Sequence, residues 1–341
     1  NEGNANMKDK LGGKGANLAE MSNLGLPIPP GFTIATDMCS YYYAHGNKLT
    51  ANFEAELLQA IHRLEKETGK VFGSKENPLL VSVRSGAKIS MPGMMDTILN
   101  LGMNDEVVES LANITSNPRF AYDSYRRFIQ MYGSVVLEIP AYIFEDTYDN
   151  HKINHNINND SEVTTEILKA VIQDYKKNIH RLTGKEFESN LTEQLINAIE
   201  AVLKSWMSPR AVHYRKINNI NEQEVSGTAV NIQSMVFGNK GNNSATGVVF
   251  TRSPADGKRK IFGEFLINAQ GEDVVAGIRT PQPILAKEEK DGTSMQELMP
   301  KAYEELISIC AKLESHYGDM QDIEFTIEEG KLYILQTRKG K

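Results

Sequence analysis

Lys14 lies within Leu11-Gly12-Gly13-Lys14-Gly15, a glycine turn that reads as the entry to a short helix. Backbone N–H groups at such a turn favour an anion, and a lysine adds a point charge. The spacing matches neither a Walker loop nor G-x-G-x-x-G, and a glycine turn with a solvated lysine has the same composition. A second anion-suited stretch is LLVSVRSGAKISMPGMMDTILNLG, residues 79–102. The alternating β-branched opening, 79–83, predicts a short, well-covered strand. At its end come Arg84 and then Ser85-Gly86-Ala87-Lys88, small residues whose N–H groups can face a bound anion. Met91-Pro92-Gly93-Met94-Met95 predicts a loop with glycine freedom and adaptable methionines, suited to covering a flat organic ring. A plain surface turn with methionines reads the same way.

The C-terminal segment offers oxygen ligands. Asp322-Ile323-Glu324-Phe325-Thr326-Ile327 alternates strictly, so Asp322 and Glu324 share one face of a strand and the apolar residues the other. Glu328-Glu329-Gly330 reads as a three-residue turn, which pairs Ile327 with Lys331 and sets Gln336 opposite Asp322. Arg338 then falls on the same face, one step further out. Two carboxylates, an amide oxygen and an arginine at one hairpin end suit a cation with a polyanion, and hard oxygen ligands of this kind suit Mg²⁺. A solvated edge hairpin with alternating charge is the competing reading.

The intervening chain must position these groups. Residues 26–34 read as an extended segment entering a strand. Phe53, Leu57, Leu58, Ile61 and Leu64 share a helical face that Gly69 ends. Asn117-Pro118 predicts a capped helix over 119–132, with the adjacent Arg126 and Arg127 expected on a solvated face. The asparagine-biased stretch 150–160 predicts a loop; His151 and His155 there lack an acidic partner, which argues against a metal site. Two amphipathic helices follow, one carrying Ile167 to Ile179 and one Leu195 to Trp206, and with 119–132 they predict a helical insertion. From Val225 the texture turns to strands at 227–237, 246–252 and 260–268. Gln233-Ser234-Met235-Val236 suits an adenine, read by strand backbone and sandwiched by apolar side chains, as it suits a plain buried strand. Residues 268–273 read as a polar turn with adjacent carboxylates Glu272 and Asp273.

Composition bounds the options. The 341 residues fit two or three compact units. Lys plus Arg is 37 against 44 acidic residues, net −7, without a basic block, which argues against nucleic-acid binding. Two cysteines cannot build a disulfide framework and point to a reducing compartment, read as cytoplasmic. No apolar run reaches membrane-span length. Beginning at Asn1 and ending in Arg-Lys-Gly-Lys, the chain reads as a piece of something longer.

Four stretches, SVRSGAKISMPGMMDTILNLG, PRFAYDSYRRFIQMYG, GEFLINAQGEDVVAGIRTPQPI and DMQDIEFTIEEGKLYILQTR, closely resemble the N-terminal nucleotide-binding region of the pyruvate, phosphate dikinase family. The resemblance runs from about residue 1 to 341, loosest across the helical insertion and around 287–296. Pyruvate, water dikinases and antibiotic-phosphorylating relatives share Val-Arg-Ser but then turn acidic, where this chain reads Gly-Ala-Lys-Ile-Ser-Met-Pro-Gly-Met-Met. The resemblance implies an α+β, ATP-grasp fold of two lobes with an inserted helical subdomain: a first lobe over 1–103, the insertion over 104–204, a return over 205–244 and a second lobe over 245–341. It implies that Lys14 and Arg84 hold the triphosphate of ATP while the Met91, Gly93 and Met94 loop closes over it. Gln233, Met235 and Val236 would line the adenine and Glu272 the ribose. Glu324 and Gln336, with Asp322, would position Mg²⁺, and Arg127 and Arg338 would stabilise the transferring phosphoryl group. The implied partners are inorganic phosphate and the phosphohistidine and pyruvate/phosphoenolpyruvate-binding domains of the same enzyme, homodimeric at full length. None of the seven histidines sits in the family's Thr-Ser-His setting, so this piece is expected not to turn over alone. Two other readings are a water-dependent dikinase and a nucleotide sensor without chemistry.

Overall fold

A computed structural model describes all residues except 1, 222–224, 226, 276–278, 287–291 and 341, and omits the side chains of Glu272 and Val275. Its class is α+β, and the chain divides into two compact units. One comprises residues 6–15 and 30–235, the other 1–5, 16–29 and 236–341.

In chain order the first unit carries the start of α1 (Lys8–Asn23), then β1 (Gly31–Ile34), α2 (Thr36–Ala44), α3 (Phe53–Thr68), β2 (Val81–Ala87) and β3 (Thr97–Leu101). Helices α4 (Asp105–Thr115), α5 (Pro118–Val135), α6 (Ala141–Asn154), α7 (Thr165–Thr183), α8 (Leu191–Ser205) and α9 (Pro209–Ile217) lead to β4 (Thr228–Ser234). The strands form an antiparallel sheet in the order β1-β4-β2-β3. Val81, Val83, Val230 and Ile232 are buried, and α8 packs on β2, β3 and β4. Helix α5 packs on β3, α4 and α7. Local chemistry starts these helices as expected: Asn117 Oδ1 accepts the Phe120 N–H at 3.1 Å with Pro118 in the first turn of α5. Four of the five α3 residues read as one face, Phe53, Leu57, Ile61 and Leu64, are buried, while Leu58 is exposed.

Three expectations are corrected here. Strand β2 does not end at Val83; it runs to Ala87, paired with β4 as far as Ala87↔Thr228. Ser85-Gly86-Ala87 is therefore sheet rather than an anion-facing turn, and the Gly86 N–H donates to Thr228 Oγ1 at 3.0 Å. Residues 150–154 are helical, the last turn of α6, because Phe144 and Tyr148 anchor one face of that helix in the core. His151 there does have an acidic partner, Asp174, at 2.8 Å. Finally, Arg126 is buried rather than solvated, and Arg127 is largely covered.

The second unit adds β5 (Ala245–Phe250), β6 (Phe262–Ile267), α10 (Gly271–Val275), β7 (Gln282–Pro283), α11 (Met295–Leu298), α12 (Pro300–Tyr317), β8 (Gln321–Glu328) and β9 (Lys331–Lys339). Its sheet is antiparallel in the order β7-β6-β5-β8-β9. Val249, Phe265, Ile323, Phe325 and Ile327 join Leu306, Ile309 and Leu313 of α12, with Met21 and Leu26, in one apolar core. Residues 271–273, read from sequence as the end of a turn, instead open the short helix α10. Cys39 and Cys310 are both buried and unbonded, and burial pushes the Cys310 thiol up to about 12, which makes it a poor nucleophile.

Candidate functional site

Within the first unit the glycine turn docks on the sheet. Helix α1 breaks at Gly12 (φ 67°, ψ 170°), and a β-carbon there would lie 1.7 Å from the Gly86 carbonyl oxygen of β2. At Gly15 a β-carbon would come within 2.9 Å of Asn231 Oδ1 and Thr33 Oγ1. No side chain fits at either place, so two glycines flank Lys14 for a steric reason. Lys88 Nζ to Asp9 Oδ1 at 2.6 Å fastens the same junction.

Register then sorts the sheet's faces. Arg84 pairs with Asn231 and Ser82 with Gln233, so Arg84, Gly86, Asn231 and Gln233 point to the face the glycine turn covers. Lys14, Arg84 and Gln233, predicted separately, are thus gathered on one side of one sheet. Asn231 was missed by sequence reasoning. It is buried at the centre of that face, where its Oδ1 accepts the Thr33 hydroxyl at 2.8 Å. Its signal was a lone amide in the apolar run Thr228-Ala229-Val230-Asn231-Ile232. Met235, two residues beyond Gln233, is buried and donates its N–H to Leu80 O at 2.8 Å. Val236 is part-buried and begins the segment assigned to the second unit.

The Met91–Met95 stretch is a loop, as expected, with Met91 buried and Pro92-Gly93 exposed. Its C-terminal side is tethered: Arg210 Nε of α9 donates to Met94 O at 3.2 Å, and its Nη2 pairs with Asp96. Arg210, also missed, fixes one end of the loop. Arg210→Ala is expected to speed amide hydrogen exchange across 93–96 about tenfold or more, as local opening loses its cost. Unchanged exchange there would show that the tether is idle.

Arg127 sits on α5, where its Nε donates to Asp123 Oδ2 at 2.9 Å. Asp123 also takes Arg126 Nε and Nη2 on Oδ1, at 3.0 and 2.8 Å. Burial opposes ionisation of Asp123, but Arg127 and Arg126 overrule it and hold the carboxyl far below the usual range.

In the second unit the hairpin differs from its expected register. Glu329 (φ 48°) and Gly330 (φ 84°) form a two-residue turn with both φ positive, and Glu328 pairs with Lys331. A bulge in β9 then lets Glu324 pair with Gln336 while Phe325 pairs with Ile334. The shorter turn shifts the register by one residue and the bulge by another. Their sum preserves the face and moves each partner by two: Gln336 is opposite Glu324, not Asp322, and Arg338 is opposite Asp322.

This register assembles a polar cluster. Arg338 Nε donates to Asp322 Oδ2 at 2.6 Å, and Arg338 Nη2 lies 4.0 Å from Glu324 Oε1. Asp322 is only 8% exposed, and its Oδ1 is buried without a hydrogen-bond partner among the described residues. A buried carboxylate oxygen left in that condition is costly unless a cation meets it. No group of three or more His, Cys, Asp or Glu side chains poised for a metal occurs among the described residues. The hairpin therefore offers two carboxylates and an amide, which fits a hard cation that shares its shell with phosphate or water. Glu272 lies in α10, and its side chain is outside the described residues.

Comparison with known proteins places the chain in a family. The family model for the pyruvate phosphate dikinase AMP/ATP-binding domain matches residues 8–52, 47–303 and 286–341. The pyruvate, phosphate dikinase of Rickettsia conorii is 60% identical over 340 residues, covering all of this chain and 38% of the relative. That of Clostridium symbiosum is 54% identical over 341 residues, again 38% of its length, and the chloroplastic enzyme of Mesembryanthemum crystallinum is 53% identical, 35% of its length. The chain thus spans little more than a third of these relatives and matches their N-terminal part. No helix among the described residues is long and apolar enough to cross a membrane. The chain belongs to the pyruvate phosphate dikinase AMP/ATP-binding domain family.

Proposed function

We propose that this chain is the ATP-binding, phosphoryl-donating part of a pyruvate, phosphate dikinase, which converts ATP, phosphate and pyruvate into AMP, diphosphate and phosphoenolpyruvate. In this reading the chain presents Mg·ATP to a histidine on a separate swivelling domain and does not turn over by itself. The observation that carries it is the hairpin cluster, in which Asp322, with its Oδ1 orphaned among the described residues, shares a face with Glu324, Gln336 and Arg338. Mg²⁺ bound there would supply charge neutralisation for the phosphates. Asp322, Glu324 and Gln336 would hold it. Lys14 and Arg84 neutralise phosphate oxygens, while the Met91, Gly93 and Met94 flap excludes water from them. Gln233, Met235 and Val236 receive the adenine and Glu272 the ribose. Arg127 and Arg338 stabilise charge on the transferring group, the principal task in phosphoryl transfer. Inorganic phosphate and the phosphohistidine and pyruvate-binding domains are the partners, with a homodimer at full length and a reducing, cytoplasmic setting that suits two free buried thiols.

Calorimetric titration of the folded chain with ATP tests this directly. One site is expected, with affinity raised at least about tenfold by Mg²⁺, since the metal screens like charge between the carboxylates and the phosphates. Mixing chain and ATP alone should give no sustained AMP production. Binding that ignores Mg²⁺, or steady turnover, would overturn the reading.

A further inference from the structure

On α5 the positions 123, 126, 127 and 130 are neighbours at i, i+3, i+4 and i+7. Within this group each oxygen of one carboxylate is committed to a different guanidinium. Arg126 is committed to the interior: it lies 4.2 Å from the Tyr148 ring centroid and donates through Nη1 to Gln130 Oε1 at 3.4 Å, which also accepts the Tyr175 hydroxyl at 3.1 Å. Arg127 differs. Its side chain keeps 14% of its exposure, and it gives Asp123 its Nε, the inner nitrogen of the fork. The two terminal nitrogens of such a fork are the pair that matches phosphoryl oxygens. Arg126 and Arg127 repel each other, so the shared carboxylate is what lets both side chains hold these rotamers side by side.

We propose that Asp123 is a positioning residue for phosphoryl transfer, presetting the Arg127 guanidinium through Oδ2 while Oδ1 anchors the pair to Arg126 inside the helical layer. This rests on the role given to Arg127 above. Preorganising a charge matters more to the transition state than to substrate binding. Asp123 should therefore act on kcat and little on the KM for ATP.

The test uses the full-length protein that contains this chain, assaying AMP formation in Arg127→Ala, Asp123→Asn, Asp123→Glu and the Arg127→Ala/Asp123→Asn double variant. Arg127→Ala should lower kcat about 10³-fold, as loss of a transition-state arginine does. Asp123→Asn should lower kcat about 10- to 100-fold with KM for ATP within about threefold, yet cost less than about twofold when Arg127 is already alanine. A residue that only holds the helix together would cost as much in both backgrounds, and that result would overturn the proposal. Should Asp123→Asn fail to fold, because Arg126 loses its counter-charge, Asp123→Glu carries the test. It keeps the charge, moves the anchor by a methylene, and should lower kcat about tenfold with unchanged melting. Full activity in Asp123→Glu or Asp123→Asn beside a crippled Arg127→Ala overturns the positioning role alone. Full activity in Arg127→Ala overturns the reading of Arg127 itself.

Discussion

Replacing Gly12 by alanine is expected to cost more than about 4 kcal/mol, beyond what ordinary point substitutions do. Two independent effects add. The backbone at φ 67°, ψ 170° lies where only glycine is comfortable. A β-carbon would also sit 1.7 Å from the Gly86 carbonyl oxygen and 2.5 Å from its carbon, so neither partner is a side chain that can swing aside. Helix α1 would have to lift from β2, carrying Lys14 away from the face that holds Arg84 and Gln233. Gly69→Ala supplies the control, since Gly69 has nearly the same φ, 68°, with nothing within 4 Å of its missing β-carbon. That change should cost about 1 kcal/mol. Urea unfolding followed by circular dichroism separates the two, because a loss above about 4 kcal/mol removes a large share of the roughly 5–15 kcal/mol that holds a domain together. ATP binding by the surviving folded fraction of Gly12→Ala should also be weakened. Equal destabilisation by the two alanines would mean that the turn does not rest on the strand.

Much of this architecture was legible in residue pattern, and the failures have identifiable causes. Strands β4, β5 and β6 announced themselves by β-rich runs, β8 by strict alternation, and α5, α7 and α8 by apolar stripes. The face shared by Asp322, Glu324, Gln336 and Arg338 was read correctly, although the pairing within it was not. Alternation reports a face, with period two, whereas pairing depends on turn length and bulges. The bulge left a trace in the consecutive apolar pair Ile334-Leu335, which breaks the alternation after Leu332 and Ile334 are buried. Arg126 was misplaced for a different reason. Adjacent arginines usually read as solvated, and only a carboxylate three and four residues earlier, Asp123, makes their burial affordable. The run Ser85-Gly86-Ala87 misled because small residues suit both an anion-binding turn and a strand against which a helix packs closely. Gly86 serves the second purpose, with Gly12 as its counterpart. Asn231 left only the faint trace of a lone amide in an apolar run, and Arg210 left none; their importance comes from neighbours far along the chain.

Arg338→Ala is expected to lower phosphoryl transfer in the full-length protein by about 10³-fold or more while weakening ATP binding by less than about tenfold. On the role proposed for Arg338, the two should separate. Arg338 is 53% exposed on its side chain and stands at the end of the hairpin, held through Nε by Asp322. Its fork therefore points from a fixed base, as a group that meets developing charge must. Without Mg²⁺ the cost to stability should be about 1–3 kcal/mol, because Arg338 is half-exposed but its loss leaves the nearly buried Asp322 carboxylate without a counter-charge. Its loss removes the positive competitor of Asp322 and Glu324, so affinity for Mg²⁺ should hold steady or rise. Arg338→Lys keeps the charge but not the bidentate fork or its Nε anchor, and should recover only part of the rate. Rapid-quench measurement of AMP formation, beside calorimetry with ATP and with Mg²⁺, distinguishes the possibilities. Binding and transfer lost together would favour a nucleotide-sensing module, in which Arg338 merely grips a phosphate. Transfer lost with binding kept would place Arg338 in the chemical step, and lower Mg²⁺ affinity would show that the guanidinium helps build the cation site rather than competing for it.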